Sequence, residues 1–183
     1  MSPAIAIRSN RQSATCCRSG DDAEVTERSG RVRLAVSASV WGMTPRQSIE
    51  SECARRGRQA LVDGCIAVLE GRADEVDGTL IVALGGPAAH RILIGESRAD
   101  AAMWKRVWAA RGLLWAWEER AADAVGLALG DDAWRVREMG AKVARRHLVG
   151  DLLSSLAALR SDPVQRVREV AQDAVERIVA VRA

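Results

Sequence analysis

Two octapeptides near the C-terminus share one pattern, and that pattern restricts the fold more than any other feature of the chain. Asp131-Asp132-Ala133-Trp134-Arg135-Val136-Arg137-Glu138 is followed by Asp162-Pro163-Val164-Gln165-Arg166-Val167-Arg168-Glu169, with the common Arg-Val-Arg-Glu displaced by 31 positions. A period of roughly 20–50 residues marks an array of supersecondary units, each too small to bury its apolar face alone. Stacking such units buries a continuous core and leaves a long face open to partners.

The units are helical. Apolar residues recur with helical spacing from residue 44 onward, and the spacing predicts helices over 46–56, 59–70, 75–85, 87–95, 101–118, 120–129, 133–148, 151–160 and 163–181. Gly57, Gly71, Gly85-Gly86-Pro87, Gly95, Gly130-Asp131-Asp132, Gly150-Asp151 and Ser161-Asp162-Pro163 punctuate them. The run Thr79 to Leu84 fits either helix or strand and is assigned to a helix. Asp162 reads as the cap of a helix opening at Pro163, and Asp132 as the cap before Ala133. Thr44-Pro45-Arg46-Gln47 reads as a capping box with proline at the first helical position. Met43 directly before that box points to an alternative start. Residues 1–42 are rich in Ser and Arg, have no apolar period, and read as a disordered N-terminal tail ahead of a helical domain over 43–183.

Composition narrows the class. The chain has 183 residues and is 48% apolar, enough for a real core. It lacks Phe and Tyr, uses Arg in preference to Lys, and carries the bias of a GC-rich, bacterial genome. The net charge of +3 does not argue for nucleic acid. Cys16, Cys17, Cys53 and Cys65 show no metal-ligand spacing and read as reduced thiols. No run approaches the roughly 18 apolar residues of a membrane span. Leu34 to Trp41 is too short and too far from the start for a secretion signal, so a cytoplasmic location is expected.

An Asp-Pro turn, then Val-Arg, then a small residue four or five positions on resembles the HEAT-repeat family, in its bacterial, actinobacterial type. The resemblance covers 119–181 well and extends more weakly to Arg106-Val107-Trp108-Ala109-Ala110-Arg111, displaced by 29 from Arg135. It implies an all-α, right-handed α-solenoid of antiparallel helix pairs that holds protein partners. It also implies that Asp131 with Arg137, and Asp162 with Arg168, belong to the family's polar ladder between repeats.

The candidate sites follow from the faces of these helices. The helix from Ala133 places Val136, Met139, Gly140, Val143 and His147 on one stripe, and the helix from Pro163 does so with Val167, Val170, Ala171, Ala174 and Ile178. Trp134 falls off that stripe, near Glu138, Ala141, Lys142 and Arg145. A Trp on a polar face is a binding hot spot or packs back onto the preceding helix. Trp134, Glu138, Arg145 and Lys105 are therefore the candidate partner-binding residues. Trp104, Trp108 and Trp115 share another arc with Arg111 beside them, either as core or as a Trp/Arg platform for a peptide or a base. Ala109, Gly112 and Ala116 form a small-residue face suited to close backbone approach.

No cofactor, metal site or catalytic constellation is expected. His147 lies on the apolar stripe, and His90 has no ligand-spaced partner. Gly85-Gly86-Pro87 is no phosphate loop, because Pro87 removes an amide donor and no Lys-Ser/Thr follows. The expectation is a non-enzymatic protein-interaction scaffold with an unknown protein partner. The alternative is a nucleic-acid-binding protein related to the HEAT-like DNA alkylation-repair glycosylases, which combine aromatics with a catalytic acid. Here Glu118 and Glu119 stand only at the edge of the Trp stripe, a departure from that pattern. The Arg groups are interleaved with Glu138, Glu169, Asp173 and Glu176, which argues for local ion pairs over an unbroken phosphate-binding stripe.

Overall fold

The computed structural model describes residues 42–97 and 100–182, all within the compact unit Val32–Ala183. The tail expected over 1–42, with Cys16, Cys17 and Trp41, lies outside the described residues apart from Gly42. Regular structure among the described residues is entirely helical. The helices are α1 (Pro45–Arg56), α2 (Arg58–Leu69), α3 (Gly78–Gly85), α4 (Pro87–Leu93), α5 (Ala101–Leu113), α6 (Ala122–Leu129), α7 (Trp134–His147), α8 (Leu153–Leu159) and α9 (Gln165–Arg182). Short 3-10 turns occur at Ala73–Glu75, Glu119–Ala121 and Gly150–Leu152. No described helix is long and apolar enough to cross a membrane.

Local chemistry sets most of the boundaries. The Thr44 hydroxyl accepts from the Gln47 amide at 3.3 Å, and Gln47 Oε1 accepts from the Thr44 amide at 3.0 Å, which closes the capping box of α1. Helix α3 begins at Gly78 and not at residue 75, because Asp77 caps it by accepting from the Thr79 amide at 2.9 Å. The segment Thr79 to Leu84 is helical within α3. Before α7 the helix carries no side-chain cap from Asp132; Asp131 Oδ1 instead accepts from the Ala133 amide at 2.8 Å and closes the turn that leads into the helix. Asp162 does the same for the Val164 amide at 2.8 Å, and α9 opens two residues after Pro163, at Gln165.

Helix α5 is shorter than its apolar pattern. It ends at Leu113, where the Leu114 and Trp115 amides bond back three residues to Arg111 and Gly112. The reason is tertiary. Trp117 leaves the helix to stack on His147 of α7, with ring centroids 4.6 Å apart and planes 6° off parallel.

The core is one cluster running from Ile49 on α1 to Ile178 on α9. Helices α2, α5, α7 and α9 pack in succession, each on the next, while α3 packs on α5, α6 on α7, and α8 on α9. The stripes close as their spacing dictates. Val136, Gly140 and Val143 are buried on α7, and Val167, Ala171, Ala174 and Ile178 on α9. Trp108 is buried, and Ala109, Gly112 and Ala116 are fully covered. Gly112 is required by close approach: a Cβ there would lie 2.7 Å from Leu84 and 2.8 Å from Cys65. Burial pushes the Cys65 and Cys53 thiols up, so neither is a ready nucleophile.

Candidate functional site

A row of paired side chains fixes the register in which the surface must be read. Arg106 reaches Asp131 through Nε and Nη2, at 2.6 and 3.2 Å from the two carboxylate oxygens. Arg137 reaches Asp162 in the same way, at 2.7 and 3.1 Å. Arg137 also donates from Nη1 to the Asp131 and Asp132 carbonyls, at 2.7 and 2.9 Å. Arg168 makes the equivalent bonds to the Asp162 and Pro163 carbonyls, at 2.7 and 3.1 Å. No ion pair meets Arg168 among the described residues. The Asp162 carboxyl is held below its ordinary range, chiefly by the Arg137 hydrogen bond, with burial opposing.

This row corrects the weak extension of the pattern to Arg106. The position equivalent to Arg106 is Arg137, at a displacement of 31, and not Arg135 at 29. Asp100 stands 31 residues before Asp131 and belongs to the series by spacing, though it caps α5 directly, accepting from the Met103 amide at 2.9 Å. Three segments therefore share one frame, beginning at Asp100, Asp131 and Asp162.

In that frame Trp104, Arg135 and Arg166 are equivalent, and Trp134 joins Arg166 to the other two. The Arg135 guanidinium lies 5.7 Å from the Trp104 ring centroid and 4.4 Å from that of Trp134. Arg166 lies over the Trp134 ring at 5.6 Å. The result is an alternating row, Trp104–Arg135–Trp134–Arg166, that crosses α5, α7 and α9. Trp134 is half-buried, while Arg135 and Arg166 are exposed. Cation–π contact of this kind holds an indole edge at the surface without covering it fully.

The other expected binding residues fall in different places. Glu138, expected on the outer face, is buried at 7% exposure. Its Oε1 accepts from Lys142 at 2.8 Å and from Arg166 at 3.1 Å. The physical reason is α9, which covers that flank of α7, so α7 has two packed sides and not one. Arg145 is half-buried and pairs with Asp173 at 3.0 Å. Lys105 stands apart, largely covered, with its ammonium 3.6 Å from Asp74. The Trp stripe divides: Trp104 stacks on buried Trp108 at 6.0 Å, whereas Trp115 lies beyond the end of α5. Of the acids at its edge, Glu118 pairs with Arg120 at 2.7 Å, and Glu119 accepts from the Trp117 indole at 3.1 Å.

Sequence reasoning missed a second group. Arg146 lies over the Trp115 ring at 4.4 Å, with Arg46 over the same ring at 5.1 Å. Arg145, Arg146, His147 and Arg177 together line a cleft of about 610 Å³. The His147 Nε2–H donates to the Leu113 carbonyl at 2.9 Å, and burial lowers the imidazole's affinity for a second proton. The available signal was the 31-residue displacement of Trp115, Arg146 and Arg177, which the frame beginning at Asp100 makes readable. Among the described residues, no group of three His, Cys, Asp or Glu side chains is placed to hold a metal ion. In comparisons with known proteins, no family model, no curated protein and no solved structure matches the chain.

Proposed function

We propose that the chain is a HEAT-like, right-handed α-solenoid of antiparallel helix pairs that works as a non-enzymatic protein-interaction scaffold. Support for the architecture comes from the frame of 31 residues and its two Arg–Asp pairs. It also comes from the short connections Gly130–Ala133 and Arg160–Val164, which join helices that pack on each other. The observation that carries the functional reading is Trp134. It is half-buried, it sits between Arg135 and Arg166, and it occupies the middle of an aromatic–guanidinium row. Trp and Arg dominate binding hot spots, because their large faces lose water at little conformational cost. The partner segment that fits carries an apolar side chain for the Trp134 ring and a carboxylate for the Arg135 guanidinium, since Arg166 already meets Glu138.

A photo-crosslinking residue at position 134, followed by identification of the captured protein, tests this. The Trp134→Ala variant is measured beside it. Its thermal midpoint should stay close to wild type, a cost of about 1 kcal/mol or less for a half-exposed site. A purified captured partner should bind it at least tenfold more weakly. A variant that unfolds would put Trp134 in the core. A variant that folds and binds the same partner unchanged would remove this face from the reading.

A further inference from the structure

We infer that the cleft formed by Arg145, Arg146, His147 and Arg177 binds a phosphate-bearing anion, with Arg146 and Arg177 as its principal donors. Several arginines of this chain are neutralised locally, while others, Arg135 and Arg168 among them, meet no carboxylate among the described residues. Arg106, Arg120, Arg137 and Arg166 each face a carboxylate. In the cleft only Arg145 does, through Asp173 at 3.0 Å. Arg146 rests on the Trp115 face at 4.4 Å, a contact that orients its planar head without neutralising it. Arg177 makes no ion pair among the described residues. Two uncompensated guanidiniums therefore share one cleft of about 610 Å³.

Complementing helix ends does not account for both. Cations are favoured at a helix C-terminus, but the effect fades beyond the last turn. Arg146 lies in the last turn of α7, whereas Arg177 stands five residues before the end of α9, whose last turn already holds Arg182. The placement of Arg177 follows the frame instead: it is displaced from Arg146 by 31, as Arg146 is from Trp115. The two heads thus rise from one edge on neighbouring helices.

The wall of the cleft strengthens the effect. His147 is tied to the Leu113 carbonyl and stacked on Trp117 at 4.6 Å, which gives an uncharged aromatic floor. Low-dielectric walls focus the field of nearby cations. Guanidinium forks pair bidentately with phosphate oxygens, and two uncompensated charges match a phosphate dianion or two phosphodiesters. The site includes none of the four residues of the Trp134 row and needs no protein partner.

The test is titration of inorganic pyrophosphate into the full chain at low ionic strength, followed by calorimetry and by the arginine side-chain NMR signals. One saturable site is expected. Arg177→Gln should weaken it about tenfold or more, the loss of one charge-assisted contact. Arg177 is exposed and unpaired, so this variant keeps its thermal midpoint. Arg160→Gln, an exposed arginine outside the cleft, should bind as wild type does. A short single-stranded oligonucleotide that displaces pyrophosphate, with a steep salt dependence, would identify backbone phosphate as the source. Pyrophosphate binding without displacement would identify a small phosphate. The absence of saturable binding below about 5 mM, or equal binding by wild type and Arg177→Gln, would overturn the assignment.

Discussion

Arg111 is a charged side chain in the wrong solvent. It projects from α5 toward α3, where Nη2 donates to the Leu84 carbonyl while Nε is buried without a partner. Burial lowers its affinity for its proton, the expected sign for a cation removed from water with no anion nearby. A buried donor left unsatisfied costs about 1–3 kcal/mol. The aliphatic stem of the same residue packs usefully. Arg111→Met keeps the stem and removes the orphaned donor, so its urea midpoint should equal or exceed that of wild type. Arg111→Ala removes both and should lower the midpoint. If the Met variant loses more than about 1 kcal/mol, the Leu84 bond outweighs the desolvation it requires.

At the level of the element, the Arg–Asp pairs set how one helix follows another. Arg137 holds Asp162, whose side chain is 3% exposed, and Asp162 in turn caps the entry to α9. Arg137→Ala strands that carboxylate and should cost about 3 kcal/mol. Arg168 makes only the carbonyl bonds, so Arg168→Ala should cost about 1 kcal/mol. The two deficits should also respond differently to acid. The depressed Asp162 carboxyl contributes stability above the ordinary carboxylate range, and that contribution disappears as pH falls through its lower folded value. The Arg137→Ala deficit, read from thermal midpoints, should therefore shrink below about pH 4, while the Arg168→Ala deficit should change less. Equal costs at neutral pH would deny the Arg137–Asp162 pair its special weight. Much of this level was legible in the sequence, because caps and turns are local: Thr44 with Gln47, and the Gly and Asp-Pro breaks, act within a few residues. The end of α5 was not, since Trp117 is drawn out by His147, 30 residues away. Nor was the burial of Glu138, which depends on Arg166 arriving from another helix. The Trp134 row and the Arg146–Arg177 cleft were present as a 31-residue displacement. They became readable only once the Arg106–Asp131 pair corrected the frame.

At the scale of the whole molecule the question is whether its helices melt as one body. In a linear array each unit touches only its neighbours, and distant units can unfold separately. Here one continuous core joins Ile49 to Ile178, and α2 also packs on α6 across the sequence. That argues for a single cooperative transition. The distribution of Trp makes this measurable. The described tryptophans lie between 104 and 134, so in a Trp41→Leu background indole fluorescence reports α5, its C-terminal turn and the start of α7, whereas circular dichroism reports every helix. In urea the two probes should give coincident curves. Ile178→Ala sharpens the test, because Ile178 is fully buried on α9, where there is no Trp. The substitution should cost about 2–4 kcal/mol as a truncated core side chain. In a cooperative molecule it shifts the fluorescence curve by the same amount as the dichroism curve. In an array with independent ends, α8 and α9 melt first, the dichroism curve acquires an early phase, and the fluorescence midpoint stays at its wild-type value. That split would show that the core, continuous in space, is not continuous in energy.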